Sequence, residues 1–210
     1  MRKLLLWGAG GHAKVVLDCA EATLMFQDIA FIDDAPKKEF CGHSVLGNRA
    51  ALAVATRQGY TEILVSIGDN NIRASCFALL EEHGLTAATI VHPSATVSPS
   101  ASVGPGSVVM PGAIINAGAR IGSNCIVNTA AIIEHDCVIG DHVHISPGVA
   151  LGGGVRIGAL AHVGLGAIAL PGATIGERAI VGAGSVVLKT VAPATTVVGV
   201  PARILAPVYC

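Results

Sequence analysis

The most regular feature of the chain is an aliphatic residue at every sixth position of its second half. Valine, isoleucine or leucine occupies each such position from Val91 to Val187, and only Ala169 departs from the series. The residue four places after each aliphatic is small or β-branched, and glycine often stands three places after it. Glycine at that place indicates a corner with positive φ. Each hexad therefore predicts one short strand followed by one corner.

Stacking of these hexads predicts a parallel β-helix. Three hexads make a triangular coil, and coils stacked at the interstrand spacing of about 4.8 Å bury the aliphatic column in a continuous interior. Proline stands two places after several of the aliphatics, where a corner needs no ladder N–H. The narrow interior also explains why no phenylalanine, tyrosine or tryptophan occurs between Val91 and Val208. The segment is long enough for between five and six coils.

The first ninety residues follow a different pattern, in which short apolar runs alternate with glycine turns and helical stretches. Runs at 3–7, 29–32 and 62–67 indicate buried strands, and stretches at 14–22 and 71–82 indicate helices. The predicted fold class is therefore α/β plus β. A small Rossmann-like βαβαβ domain at residues 1–88 precedes a β-helix domain of hexapeptide repeats at residues 89–210.

Glycine and acidic residues follow the predicted strands at the place where open parallel sheets bind ligands. The loop from Gly8 to Ala13 has the pattern G-x-G-x-x-A, the second strand ends in Asp33 and Asp34, and Gly68-Asp69-Asn70 follows the third. The glycine pattern is weak and fits either NAD or a tight turn without a ligand. Three or four strands form only one mononucleotide-binding half, so a nucleotide-sugar is favoured over a dinucleotide.

The charge and hydropathy of the chain exclude several classes of partner. The net charge is −1 and no block of like charges occurs, so neither nucleic acid nor an anionic membrane surface is expected as a partner. Mean hydropathy is +0.66, but no run reaches the roughly 18 apolar residues of a spanning helix. The six cysteines form no C-x-x-C pair, which suits reduced packing thiols. A cytoplasmic protein without membrane association is predicted.

Several motifs taken in chain order resemble one known family. They are the glycine loop, the Phe31-Ile32-Asp33-Asp34 strand end, residues 66–70, the hexads, residues 133–137 and residues 198–202. Together they resemble the NeuD/PglD-like sugar acetyltransferases, which include sialic acid O-acetyltransferases and bacterial N-acetyltransferases of UDP- and GDP-linked amino sugars. The resemblance covers nearly the whole chain, and the Glu-His-Asp-Cys stretch within the hexads is its most specific element. It implies a left-handed β-helix, a homotrimer and acetyl-CoA as co-substrate.

The resemblance also implies roles for individual residues. The residues implied to lie along the phosphates of the nucleotide-sugar are Gly10, Gly11 and His12. Asp33 and Asp34 are implied to bind its base or ribose end, and Gly68 and Asp69 to line the same cleft. The residues implied for acetyl-CoA, which include a C-terminal tail, are His144, Gly153, Leu165, Ala183, Pro201 and Arg203. Ala13 stands where the family often has glycine, so the glycine loop departs from the family pattern at this position.

His135 is the candidate general base. It follows Ile133 by two places, which predicts a corner with its side chain pointing outward, and Glu134 and Asp136 flank it. Amide formation from a thioester needs a base that takes a proton from the attacking amine, and an imidazole with a carboxylate partner is suited to this step. Asp136 is the first candidate for the orienting carboxylate and Glu134 the second, since the sequence alone does not show which one faces the ring.

The predicted reaction is direct acetyl transfer from acetyl-CoA to the amino group of a UDP- or GDP-4-amino-4,6-dideoxy sugar, in the synthesis of bacterial surface glycans. His135 removes the proton, and by resemblance the Gly153 N–H stabilises the oxyanion. An O-acetyltransferase of sialic acid or another glycan is the first alternative, and a non-catalytic nucleotide-sugar-binding scaffold is the second. No metal is expected, because the spacing of His135, His142, His144 and His162 does not resemble that of zinc-binding β-helix carbonic anhydrases.

Overall fold

The computed structural model describes residues 2–205, so residue 1 and residues 206–210, at the outer ends of the two predicted domains, lie outside the described residues. Its N-terminal part contains three α-helices and six strands within that range. They are β1 (Lys3–Trp7), α1 (Gly11–Ala22), β2 (Asp28–Ile32), β3 (Glu39–Phe40), β4 (His43–Ser44), α2 (Leu52–Arg57), β5 (Glu62–Val65), α3 (Asn70–Ala78) and β6 (Thr86–Ala87). Short 3₁₀ helices occur at Arg49–Ala51 and Glu81–His83.

These elements form a parallel sheet of strand order β2-β1-β5-β6, and β3 and β4 form a separate antiparallel hairpin. The central strand β1 is apolar along its length because both of its faces are covered. Leu4 and Leu6 pack with α1, whereas Leu5 and Trp7 pack on the opposite face with residues of α2. Continuous apolar runs of this kind are typical of parallel strands buried on both sides.

The second half is a parallel β-helix with three faces. Strands of the first face are Ile90–Val91, Val108–Val109, Ile126–Val127, His144–Ile145, His162–Val163, Ile180–Val181 and Thr196–Val198. Strands of the second face are Thr96–Val97, Ile114–Ile115, Ile132–Ile133, Ala150–Leu151, Ile168–Ala169 and Val186–Val187. Strands of the third face are Ser102–Val103, Arg120–Ile121, Val138–Ile139, Arg156–Ile157, Thr174–Ile175 and Thr190–Val191. A last strand, Arg203–Ile204, pairs antiparallel with Thr196–Val198.

The interior of the β-helix consists of the hexad aliphatics and the small residues that precede the next strand. Val109, Ile115 and Ile121 are buried in one core with Ala113, and the exceptional Ala169 also faces this core. The methyl group of Ala169 keeps the aliphatic column apolar. The corners use positive φ, as the spacing of glycine predicts. The predicted fold class, an α/β domain followed by a β-helix of hexapeptide repeats, is confirmed.

Helix α1 covers the first face of the β-helix at its N-terminal coils. Leu17 and Cys19 of α1 share a core with Val108 and Ile126, whose side chains point outward from that face. The Cys19 thiol also donates a hydrogen bond to the Val109 carbonyl at 3.5 Å. These contacts explain why apolar residues occupy the outward positions of the first face in these coils. The α/β part therefore packs directly on the β-helix, and the sheet strand β6 ends three residues before Ile90.

A fully buried arginine joins the two parts. Arg73 of α3 donates hydrogen bonds to carbonyl oxygens of Asn124 at 2.9 Å and His142 at 2.7 Å on the β-helix. It also donates to the carbonyls of Ile67 and Gly68, both at 3.1 Å, in the loop after β5. Burial lowers the pKa of Arg73 to about 10, which leaves it charged at neutral pH. A buried charge with this many acceptors fixes the loop after β5 relative to the β-helix.

The two largest differences from the boundaries expected from the sequence are at helix ends. Helix α1 begins at Gly11 rather than at residue 14, so His12 lies in its first turn and not in a loop. Helix α3 ends at Ala78, earlier than the expected residue 82. Among residues 2–205, no helix combines the length and the apolar character that crossing a bilayer requires.

Candidate active site

His135 lies on the corner between the second and third faces, which we call the second corner (residues 116–118, 134–136, 152–154 and 170–172). Its Nδ1 is 2.9 Å from Asp136 Oδ2, and its side chain is 64% exposed. Glu134 bonds differently, because its Oε2 accepts a hydrogen bond from the backbone N–H of His135 at 3.4 Å. Of the two candidate carboxylates, Asp136 therefore contacts the ring. The Nε2 atom of His135 is left to face a reactant.

Two glycines on adjacent coils make room for this pair. A Cβ built at Gly153 would lie 2.5 Å from His135 Nε2, so the imidazole rests directly against the Gly153 backbone. A Cβ at Gly118 would lie 2.7 Å from Asp136 Oδ1. The Gly153 N–H donates to no acceptor among the described residues. The structure thus brings His135, Asp136 and Gly153 together, with an available N–H beside the imidazole.

The electrostatics of the second corner favour a protonated imidazole. The hydrogen bond that His135 donates to Asp136 raises the pKa of His135 above its ordinary value, with smaller contributions from the charges of Asp136 and Glu134. A base with a raised pKa holds a proton more tightly once it has taken it from an amine. The pair can therefore accept a proton near neutral pH, and its exposed position leaves the Nε2 atom accessible.

A second set of predicted residues meets in the cleft between the α/β part and the first face of the β-helix. Gly10 and Gly11 lie at the N-terminus of α1, and Gly68 follows β5. None of the three has positive φ, and a Cβ on any of them would meet no atom of the described chain within 4 Å. Neither backbone conformation nor internal packing therefore requires glycine here. Close approach of a ligand to the backbone would require it.

The two aspartates at the end of β2 have different environments. Asp33 accepts hydrogen bonds from the backbone N–H groups of Ala9 at 2.6 Å and Ala35 at 2.9 Å, and Lys37 lies 3.5 Å away. Burial raises its pKa, but these hydrogen bonds and Lys37 outweigh burial and lower it overall. Asp33 thus shapes the glycine turn. Asp34 is exposed and lines a cavity of about 320 Å³ together with Trp7 and residues of α3.

Asp69 lies at the start of α3 and caps the helix. Its Oδ1 accepts a hydrogen bond from the Ile72 N–H at 2.9 Å, which satisfies one of the free donors of the first turn. A cavity of about 360 Å³ opens beside this helix end, between the two parts of the molecule. It is lined by Gly68, Asp69, Asn70, Asn71, His144, Leu160, His162, Arg178 and Ile180. Because Asn71 also lines the cavity of Asp34, the two cavities are neighbours.

Three histidines meet at the same cleft and are kept neutral. His144 stacks on His162 with ring centroids 4.7 Å apart, and its ring lies 6.0 Å from that of His12. His144 is hydrogen-bonded through Nδ1 to the Gly68 carbonyl at 3.3 Å. Burial is the main cause that lowers the pKa of His144 to about 3 and of His12 to about 4. These rings line a site without adding positive charge to it.

The residues predicted for acetyl-CoA do not all meet within one chain. Gly153 lies at the second corner under His135, whereas Leu165 and Ala183 lie between the first and second faces, a location we call the first corner (residues 128–130, 146–148, 164–166 and 182–184). Arg203 lies in the strand that pairs with Thr196–Val198 and lines a cavity of about 420 Å³ near the last coil. Pro201 lies in the turn before that strand. His144 lies apart from all of these, beside Gly68.

Sequence reasoning did not identify His162 or Arg178 as lining residues. His162 Nε2 lies 2.9 Å from Ser146 Oγ, and its ring faces the cleft. Within residues 2–205, no group of three or more histidine, cysteine, aspartate or glutamate side chains is arranged to hold a metal ion. The spacing of 18 residues between His144 and His162 predicts their stacking, but only the packed α/β part shows that they face a cavity.

Comparison with known proteins places this geometry in a family. Residues 3–80 match the model of the PglD N-terminal domain, and residues 118–153 match that of the bacterial transferase hexapeptide with six repeats. No curated protein sequence matches the chain.

Solved structures match along the whole chain. A histidine-to-asparagine mutant of perosamine N-acetyltransferase from Caulobacter crescentus, in complex with CoA and GDP-perosamine, is 39% identical with a TM-score of 0.95, and the match covers 99% of this chain and 98% of that one. The acetyltransferase domain of PglB from Neisseria gonorrhoeae is 40% identical with a TM-score of 0.94, over 98% and 100%. WeeI from Acinetobacter baumannii is 28% identical with a TM-score of 0.87, over 98% and 100%. The chain therefore belongs to the NeuD/PglD-like family of sugar acetyltransferases.

Proposed function

We propose that the protein is an acetyl-CoA-dependent N-acetyltransferase that acts on the amino group of a nucleotide-linked amino sugar, of the UDP- or GDP-4-amino-4,6-dideoxy type, in bacterial surface glycan synthesis. The amine attacks the thioester carbonyl, His135 Nε2 takes the amine proton, and the thiolate of CoA leaves as the amide forms. The Gly153 N–H stabilises the oxyanion during transfer. Asp136 holds the imidazole in the tautomer that exposes Nε2.

The observation that carries this proposal is the pairing of an exposed His135–Asp136 dyad with a cleft lined by glycines that the fold does not need. The dyad supplies a base, and the bare backbone at Gly10, Gly11 and Gly68 supplies room for phosphates at helix N-termini. A non-catalytic scaffold has no use for the dyad. The relatives support the choice of substrates, since two of them are described in complex with CoA and GDP-perosamine or with acetyl coenzyme A.

The two halves of the proposed site lie on opposite sides of one chain. The three faces follow each other in order around the coil, so the second corner, which carries His135, is opposite the first face, which carries His144. His135 therefore cannot reach a sugar bound in the cleft of its own chain. We propose a homotrimer in which His135 of one copy faces the cleft of the next.

The second face of the β-helix supports this assembly. Its outward positions are apolar except at Thr96, and Ile132 and Ile168 are 37% and 43% exposed. Leu165 at the adjoining first corner is 60% exposed. Contiguous exposed apolar surface of this kind marks protein–protein contact. Packing of this face against a second copy would also bring the predicted acetyl-CoA residues of the first corner to an interface between copies. We assign the reaction to the cytoplasm.

A substrate panel tests the activity. CoA release from acetyl-CoA is measured with a GDP-linked 4-amino sugar, a UDP-linked 4-amino sugar and free sialic acid as acceptors. Turnover of a nucleotide-linked amino sugar, with a mass increase of one acetyl group on the amine, is the expected result. Acetylation of sialic acid alone would favour the O-acetyltransferase. Absence of turnover with all three acceptors, while nucleotide still binds, would favour the scaffold.

Mixing two inactive variants tests the shared site. His135→Ala lacks the base, and Gly11→Val weakens binding in the cleft, so at nucleotide-sugar concentrations below the wild-type KM each homo-oligomer is expected to retain at most about a tenth of the wild-type activity. Co-expressed and purified through tags on both chains, mixed oligomers contain some sites that combine an intact His135 with an intact cleft. Activity should then return to a sizeable fraction of the wild-type value. If both halves belonged to the same chain, the mixture would stay inactive.

A further inference from the structure

The cavity between α3 and the first face contains one permanent cation among the described residues that line it, the guanidinium of Arg178. Arg178 lies on the corner between the third and first faces and has a positive φ of 57°. Its Nη1 donates a hydrogen bond to Asn71 Oδ1 at 3.0 Å. The side chain thus reaches from the β-helix to the first turn of α3, across the opening of the cavity.

Most of the hydrogen-bonding capacity of Arg178 remains available. A guanidinium has five N–H donors, and the side chain of Arg178 is 54% exposed. It also forms an exposed ion pair with the adjacent Glu177, whose Oε1 lies 3.6 Å from Nε, beyond hydrogen-bonding range. Arg73 shows the contrasting case, because it is fully buried and donates to five protein oxygens. Arg73 is a structural contact, whereas Arg178 is free to bind a ligand.

The surroundings of Arg178 favour an anion. The nearest acidic group that lines the cavity, Asp69, is engaged with the Ile72 N–H at the N-terminus of α3. Burial is the main cause that lowers the pKa of His144 and of His162. Both rings are therefore neutral near pH 7. The helix end adds partial positive charge on its free N–H groups. An anion at this place would therefore meet one guanidinium and one helix N-terminus. Among the described residues, the one carboxylate within 4 Å of the guanidinium is that of Glu177, which does not line the cavity.

The position of Asn71 defines which part of a ligand lies beside Arg178. Asn71 lines both the cavity of Asp34 and the cavity of His144. A nucleotide-sugar with its base in the first and its sugar in the second would carry its diphosphate past Asn71. On the basis of the proposed function, we infer that Arg178 binds the β-phosphate, the one that bears the sugar. Arginine is well suited to this role because its fork of donors matches phosphate oxygens.

Calorimetry with nucleotides tests this inference. GDP, UDP, GMP and UMP are titrated into the wild type, Arg178→Ala and Arg178→Lys, with Arg156→Ala as a matched control because Arg156 is exposed on the third face and away from the cavity. We expect Arg178→Ala to weaken binding of the preferred diphosphate by about tenfold or more, as for loss of a charge-assisted hydrogen bond. The monophosphates should bind within about twofold of wild type. Arg178→Lys should recover part of the loss.

The outcomes separate this inference from the proposed function. Unchanged diphosphate affinity in Arg178→Ala, or an equal loss for monophosphates and diphosphates, would overturn the assignment of Arg178 to the β-phosphate and leave the acetyltransferase proposal intact. A wild type that binds acetyl-CoA but none of the four nucleotides would overturn the nucleotide-sugar assignment itself, and this inference with it. Thermal unfolding of each variant shows whether a loss reflects the site or the fold.

Discussion

The second corner and the cleft between the α/β part and the β-helix use the same kind of residue for opposite purposes. At the second corner, His135 is exposed and paired with Asp136, which raises its pKa. In the cleft, His12 and His144 are half-buried beside one another, and their partial burial lowers the pKa of each. Environment, not residue type, therefore separates a histidine that can take up a proton near neutral pH from one that stays neutral there.

The glycines of the two regions differ in the same way. Gly153 is required by the protein itself, because a Cβ there would collide with His135. Gly10 and Gly11 have open space where a Cβ would be and ordinary backbone conformations. A glycine that internal packing requires supports the architecture of a site. A glycine that neither packing nor backbone conformation requires indicates close approach of a ligand. The comparison assigns chemistry to the second corner and binding to the cleft, and each assignment can be tested separately.

The largest effect is expected from removal of the base. His135→Ala should lower kcat by about 10²-fold or more, which is typical for loss of a general base, and should leave the KM for both substrates nearly unchanged. The side chain buries little area, so thermal stability should stay near the wild-type value. Steady-state kinetics and thermal unfolding measure both quantities. His83→Ala is the matched control, because His83 is also exposed. A near-normal kcat in His135→Ala would contradict the role of His135 as the general base.

The next largest effect is expected at the glycine turn of the cleft. Gly11→Val should raise the KM for the nucleotide-sugar by about tenfold or more, because a β-branched side chain blocks approach of an anion to the helix N-terminus. Affinity for acetyl-CoA should not change. Calorimetry with each substrate separates the two sites. If acetyl-CoA binding falls together with nucleotide binding, the substitution has disrupted the fold and not the cleft.

These two regions were predictable from the sequence to different degrees. The hexad spacing places His135 on a corner, because a six-residue period fixes the position of every side chain around the coil. Asp136 is the next residue in the chain, so its contact with His135 is local. The first-choice carboxylate contacts the ring in the structure for this reason. Local spacing thus accounts for most of the second corner.

The cleft depends on long-range packing, which local spacing does not contain. Arg73 contacts Asn124 and His142, 51 and 69 positions away, and the residues near Arg73 in the chain do not predict these partners. The start of α1 was missed because its cap is Gly10, which has no side chain to mark a helix end. His144 was expected beside acetyl-CoA, and its contact with Gly68, 76 residues away, follows only from how the α/β part packs.

A smaller effect is expected from weakening the dyad without removing the base. Asp136→Asn removes the charge and hydrogen bond that raise the pKa of His135, so the pKa should return toward the ordinary value of about 6.5. The base is active when unprotonated, so activity falls as pH drops through this pKa. The acid limb of kcat/KM should therefore move to lower pH in Asp136→Asn, with kcat lower by about tenfold. Glu134→Gln is the control and should shift the limb less, because its contact with His135 is through the backbone. An unshifted limb in Asp136→Asn would show that another group sets the profile.

The smallest effect expected is on stability, and it concerns the neutral histidines of the cleft. The folded pKa values of His12 and His144, about 4 and about 3, lie below the unfolded value of about 6.5. The unfolded chain therefore binds more protons below pH 6.5, so the stability these groups contribute is complete above pH 6.5 and is lost as pH falls toward 4. Between pH 7.5 and 5.5 each should remove about 1 kcal/mol from the free energy of unfolding, a decrease of a few degrees in Tm. His144→Gln cannot be protonated, so its Tm should fall less over this interval than that of the wild type, whereas His83→Ala should follow the wild type. Equal slopes for the wild type and His144→Gln would show that His144 titrates normally in the folded protein, and the contrast with His135 would then not hold.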